Sequence, residues 1–227
     1  MFRWDIINHL IKQNNYQSYI ELGYFKGWSF DRIGNERIEK HAVDPNPCKW
    51  TTEVNWEYGS THAISDYMEG RRHYIHKMSS DEYFEALPPD IKYDIFFIDG
   101  LHKSPQVDKD IQNALKHLNP GGIIVMHDCN PDSYEMTTTG TQKGEWTGDV
   151  YKSFISFKWK NPGGYITYVV DTDYGVGIIK PCPFVSNRII SPFDEIIEKS
   201  MYQWSVFDKN RARLLELITP EEFLQRT

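Results

Sequence analysis

The chain has 227 residues, 25 basic and 32 acidic, so its formal charge is -7; 40% of it is hydrophobic and 25% charged. That balance belongs to a globular protein and excludes a disordered one. With no basic stripe and no apolar run of membrane-spanning length, it also argues against nucleic acid or a bilayer as partner. Three cysteines, Cys48, Cys129 and Cys182, have no paired spacing. A disulfide framework or zinc knuckle is therefore not expected, and a reducing compartment is. The first residues lack the basic-then-apolar run of a signal peptide, so the expected location is cytoplasmic.

In chain order, Trp4, Ile7, Leu10 and Ile11 fall at helical spacing, and a short amphipathic helix leads in. Ser18 to Leu22 reads as a first strand. It runs into Gly23-Tyr24-Phe25-Lys26-Gly27-Trp28-Ser29, a glycine-bearing turn expected to open a helix. Glycine permits close ligand approach, and a helix start offers unpaired N–H groups. A second short strand, His41 to Val43, ends in Asp44 and a proline-rich turn, about twenty residues after Gly23. In dinucleotide folds an acid at that place accepts the hydroxyls of a ribose.

Residues 48–72 are polar and read as a long connection with one helix near Ala63 to Glu69, either a loop that covers substrate or a plain surface excursion. His73 to Met78 reads as a third strand, and Ser79-Ser80-Asp81-Glu82 as a capped helix start. Ile95 to Ile98 is a fully apolar run that ends in Asp99-Gly100-Leu101-His102, as a buried parallel strand would. Ser104-Pro105 opens the clearest helix, whose apolar face is Val107, Ile111, Ala114, Leu115 and Leu118. Ile123 to Met126 is another buried strand and runs into His127-Asp128.

If those last two strands are neighbours, about 4.8 Å apart, Asp99 and Asp128 share one crevice at their carboxyl ends. Two carboxylates that close favour a bound cation, and oxygen donors suit Mg²⁺, Ca²⁺ or Mn²⁺. His127 reads as a further ligand, as a group that orients the ligands, or as a plain loop residue, and it ranks below both acids as a ligand. Residues 132–147 read as a lid, 148–160 as a helix, and Tyr165 to Val170 with Gly175 to Ile179 as an antiparallel hairpin. Short amphipathic stretches follow to the end.

These motifs resemble class I S-adenosylmethionine-dependent methyltransferases over roughly residues 17–180. They resemble especially the small group with an Ile-Asp-Gly-x-His turn, which is related to the macrocin- and mycinamicin-type sugar O-methyltransferases. The resemblance implies an α/β, Rossmann-like, doubly wound fold: a mostly parallel seven-stranded sheet with an antiparallel last strand and helices on both faces. It implies a methyltransferase domain over 1–180 and a helical tail over 181–227.

It implies S-adenosylmethionine contacts at Glu21, Gly23, Gly27 and Ser29, at the ribose acid Asp44, at Ser79, Ser80 and Asp81 beside the adenine, and at Asp99. It further implies a divalent cation on Asp99, Asp128 and His127, with His102 and Asp99 catalytic. Where that group carries Glu-Asp, this chain carries His127-Asp128. The implied partner is a small-molecule acceptor, a sugar or nucleotide sugar, and homo-oligomerisation is left open. Two other readings fit parts of the pattern: a nicotinamide-dependent oxidoreductase, which normally shows a tighter Gly-x-Gly-x-x-Gly, and a non-catalytic binding domain of the same fold.

Overall fold

A computed structural model describes residues 1–34, 38–47, 73–138, 145–182 and 198–226. The proposed connection at 48–72, the middle of the 132–147 lid and the start of the tail stretch near 193 lie outside the described residues. The described elements are α1 (Arg3–Asn14), β1 (Ser18–Leu22), β2 (Glu39–Val43), β3 (His73–His76), α2 (Ser80–Ala86), β4 (Tyr93–Ile98) and α3 (Ser104–Lys116). Then come β5 (Leu118–Met126), α4 (Val150–Lys160), β6 (Tyr165–Val170), β7 (Val176–Pro181), α5 (Trp204–Leu215), β8 (Leu217–Ile218) and α6 (Pro220–Arg226). Among the described residues, no helix is long and apolar enough to cross a membrane.

The strand order is β3-β2-β1-β4-β5-β7-β6-β8. The seven strands read from the sequence are present, and β8 adds an eighth by pairing in parallel with β6 through Val169 and Val170. Two residues are too few to show a strand period, so this element leaves no trace in the apolar pattern. β1 pairs in parallel with both β2 and β4, and β2 with β3, while β6 and β7 run antiparallel.

The chain forms two compact units. One comprises Phe2–Leu101 and Asp110–Ile124; the other comprises Met1, His102–Lys109 and Val125–Thr227. In the first unit the core lies on β1 and β4. Tyr19, Ile20, Ile95, Phe96 and Phe97 are fully buried. Each such side chain contributes about 1.5–3 kcal/mol on leaving water. Burial on both faces explains why β4 reads as an unbroken apolar run. Tyr16 donates to the Gly121 carbonyl (2.8 Å), and Asn119 Nδ2 donates to Asp94 Oδ1 (2.7 Å). These contacts hold the start of β5 in the sheet, so the strand begins at Leu118, five residues before the apolar run at Ile123 that marked it in the sequence.

A polar cluster is buried under α2. The rings of His41 and His76 stack, with Nδ1 of the first 3.0 Å from Nε2 of the second, and Tyr83 and Tyr93 share a 2.6 Å hydroxyl contact. His76 Nδ1 is buried without a hydrogen-bond partner.

In the second unit, Val169, Val170, Val176 and Ile179 of the hairpin are fully buried, as are Phe154 of α4 and Phe207 of α5. Gly177 permits this packing. A side chain there would press on Phe154, 3.0 Å away, and on Cys129 Sγ.

Candidate active site

In the first unit the glycine turn is shaped by its neighbours. Gly23 has φ +100° and donates to the Val43 carbonyl at 2.8 Å. A side chain there would overlap the backbone of Asp99. Only glycine lets the end of β1 lie against the end of β4, where Asp99 N donates to the Leu22 carbonyl (2.9 Å).

Gly27 has φ +72°, and a Cβ there would meet the Tyr24 hydroxyl. Beyond it the chain makes a single 3₁₀ turn, Phe30–Arg32, where the sequence reading expected the start of an α-helix. The winding ends at Ile33, whose backbone is extended, and Gly34 follows at φ +79°. The turn's amides are therefore held by Asp44. Its Oδ2 accepts from Tyr24 N (3.0 Å) and Phe25 N (2.8 Å), and its Oδ1 from Asn46 N (2.7 Å).

Glu21 is buried, and the Tyr19 hydroxyl donates to its Oε2 at 2.5 Å. Burial lifts its carboxyl well above the usual range, more than the Tyr19 hydrogen bond lowers it. Ser29, also buried, accepts from Arg3 Nε at 2.9 Å. The same Arg3 nitrogen lies 3.7 Å from Asp99 Oδ2. Ser79 caps α2: its N donates to Glu82 Oε2, and its Oγ accepts from Glu82 N (3.3 Å). Ser80 and Asp81 form the first turn of that helix.

In the second unit His102 is held on several sides. Its Nδ1 lies 3.0 Å from the Trp146 carbonyl and 3.1 Å from Asp128 Oδ2. Both are oxygen acceptors, so Nδ1 carries the hydrogen and the basic lone pair sits on Nε2. The Trp146 ring lies 5.1 Å from the imidazole, tilted by 31°. Asp149 N donates to the His102 carbonyl (3.2 Å), while Asp149 Oδ1 accepts from Ser104 N (2.6 Å) and so caps α3. Gly148, at φ +58°, sits against the His102 backbone with no room for a side chain.

Asp128 has φ +60°, and its Oδ1 lies 3.1 Å from His127 Nδ1. His127 Nε2 lies 3.6 Å from Asp173 Oδ2. Both nitrogens of His127 thus face carboxylates.

The expected residues therefore fall into two groups. Glu21, Gly23, Gly27, Ser29, Asp44, Ser79, Ser80, Asp81 and Asp99 lie in the first unit; His102, His127 and Asp128 lie in the second. Asp99 and His102 are joined by the short Gly100-Leu101 link. The sequence reading did not single out Arg3, Trp146, Gly148, Asp149 or Asp173. Arg3 reaches Ser29 across 26 positions and Trp146 reaches His102 across 44, and neither separation leaves a local pattern. The only local hints were the lid and hairpin-turn readings that contain Trp146 and Asp173.

Residues 20–129 match the model of a family described as a methyltransferase domain. No curated protein matches the chain. Among solved structures, the chain is similar to the SAH-bound methyltransferase PaMTH1 of Podospora anserina. The TM-score is 0.55 and the identity 12%, over 79% of this chain and 78% of that one. It is also similar to a proposed caffeoyl-CoA O-methyltransferase of Staphylococcus aureus, with a TM-score of 0.52 and 16% identity over 79% and 82% of the two chains. At these identities the likeness speaks for the fold alone, a Rossmann-like methyltransferase fold. The matched stretch, 110 of the 227 residues, runs from β1 to the turn after β5.

Proposed function

We propose that the chain is an S-adenosylmethionine-dependent O-methyltransferase that methylates a hydroxyl of a small molecule, a sugar or nucleotide sugar, with His102 as general base. The observation that carries this reading is the pair of acceptors on His102 Nδ1, Asp128 Oδ2 at 3.1 Å and the Trp146 carbonyl at 3.0 Å. They keep the hydrogen on Nδ1 and so make Nε2 the basic nitrogen, as a base needs. The family match over 20–129 supports the cofactor.

The residues present fit S-adenosylmethionine. Asp44 stands beside the glycine turn, where it accepts from Tyr24 N, Phe25 N and Asn46 N and keeps one lone pair for a ribose hydroxyl. When bound, this cofactor supplies a methyl on a positively charged sulfur. His102 Nε2 would take the proton of the acceptor hydroxyl as that oxygen receives the methyl group. The imidazolium then lies against Asp128, whose charge offsets its own.

Asp128 offers oxygen donors of the kind a divalent cation takes. There it would lower the pKa of the acceptor hydroxyl. His127 does not suit a ligand role, because both its nitrogens are turned to carboxylates.

The test is methyl transfer from labelled cofactor into pools of sugars and nucleotide sugars, with and without a chelator. The parent should transfer label, and His102→Ala should lose about 10²–10⁴-fold in turnover. Calorimetry should show cofactor affinity unchanged in that variant. A parent protein that binds no S-adenosylmethionine would overturn the reading.

A further inference from the structure

We infer that Asp173 is a positioning residue: through His127 it fixes the Asp128 carboxylate that holds the His102 ring. Four side chains form a continuous line within the second unit. Asp173 Oδ2 lies 3.6 Å from His127 Nε2, and His127 Nδ1 lies 3.1 Å from Asp128 Oδ1. Asp128 Oδ2 then lies 3.1 Å from His102 Nδ1. The His127, Asp128 and Asp173 side chains are 8%, 5% and 9% exposed, so water screens these contacts little. A ring engaged by a carboxylate at each nitrogen cannot rotate without losing one of them. Asp128 in turn spends one oxygen on each imidazole, so its orientation is set.

The backbone is built around the same line. Asp128 (φ +60°), Asp173 (φ +50°) and Tyr174 (φ +58°) all occupy the left-handed region without being glycine. Such residues persist where their surroundings over-determine them, and they cluster at functional sites. The two turns are tied together: Cys129 N donates to the Gly175 carbonyl (3.0 Å) and Asn130 N to the Tyr174 carbonyl (2.7 Å). Gly175, at φ +85°, packs so closely on Asn130 that a Cβ would overlap it. The hairpin itself does not need an acid at 173. Its turn closes through Gly175 N to the Thr172 carbonyl (2.8 Å), and glycine or asparagine suits a left-handed position as well.

The catalytic consequence rests on the proposed methyl transfer with His102 as base; the positioning itself does not. Asp173→Gly removes the carboxylate while relieving the left-handed backbone, so its fold should be retained. Partners of this kind typically carry about 10–100-fold in activity. In Asp173→Gly, kcat should fall about tenfold, with the acceptor KM and the cofactor Kd within about twofold of the parent. Asp173→Asn, which restores an oxygen facing His127, should recover most of the loss. Independently of activity, ¹⁵N-histidine NMR should show the His127 and His102 ring signals shifted in Asp173→Gly and near their parent positions in Asp173→Asn. Unchanged ring signals in the glycine variant would overturn the inference, as would an asparagine variant no better than glycine. A parent that transfers no methyl group would sink the functional reading alone, because the ring signals would still decide the role of Asp173.

Discussion

Asp44 shows how one carboxylate serves both a turn and a ligand. Its Oδ2 takes two amides of the glycine turn, and one of these belongs to Phe25, held at φ +46°. The proposed ribose contact draws on the one lone pair left after these two amides and Asn46 N. The two roles separate by substitution. Asp44→Asn keeps an oxygen for Tyr24 N and Phe25 N and gives up the exposed contact to Asn46 N. It also loses the charge that strengthens a hydroxyl hydrogen bond, worth about 1.5–3 kcal/mol. Asp44→Asn should therefore melt near the parent temperature yet bind S-adenosylmethionine about 10–100-fold more weakly by calorimetry. Asp44→Ala should lose stability as well, since the turn amides are left without their acceptor. Unchanged affinity in both variants would remove the ribose role.

Among the elements, the segment 146–149 does the most for its length. Its carbonyl at Trp146 orients His102, its amide at Asp149 pins the His102 carbonyl, and the Asp149 side chain caps α3. Gly148 is the hinge of this arrangement. Gly148→Ala forces a Cβ into the His102 backbone and into a left-handed residue, at about 1–2 kcal/mol for the backbone alone. Urea unfolding should show at least that loss, and methyl transfer should fall further than the folded fraction, because His102 itself is displaced.

This segment also marks where sequence reading stops. The acids and the histidine at the ends of β4 and β5 were legible because buried strands announce themselves as apolar runs and their last residues stand out. The α3 face was legible through its 3.6-residue period. What was not legible came from contacts distant along the chain. Arg3 meets Ser29, Trp146 meets His102, and Asp173 meets His127, and no local spacing encodes any of these pairs. The missing helix after Gly27 was hidden for a different reason: the sequence has the glycines of a helix-opening turn, but the chain turns extended at Ile33 after one 3₁₀ turn.

For the molecule as a whole, two buried groups pull the pH dependence of stability in opposite directions. Burial, aided by His41, lowers the pKa of His76 to about 4. The unfolded chain takes up that proton near pH 6.5, before the folded one does, so stability falls as the pH drops from about 6.5 to 4. The total is about 3 kcal/mol, from about 1.36 kcal/mol for each pH unit of difference. Glu21 acts the other way. Burial raises its folded pKa well above 4.5, so the folded protein keeps a proton that the unfolded chain releases, and stability falls as the pH rises through that range. Above about pH 4.5, where the two ranges overlap, the slopes oppose each other, and the parent should show a shallower profile there than either group alone would give. Removing either group should tilt it. His76→Phe, which keeps a ring under α2, should hold its urea midpoint better in acid than the parent does. Glu21→Gln, which keeps an acceptor for the Tyr19 hydroxyl, should hold it better above neutral pH. Midpoints measured from pH 4 to 8 in all three proteins test this, and variants whose profiles run parallel to the parent's would show that neither buried group governs the pH response.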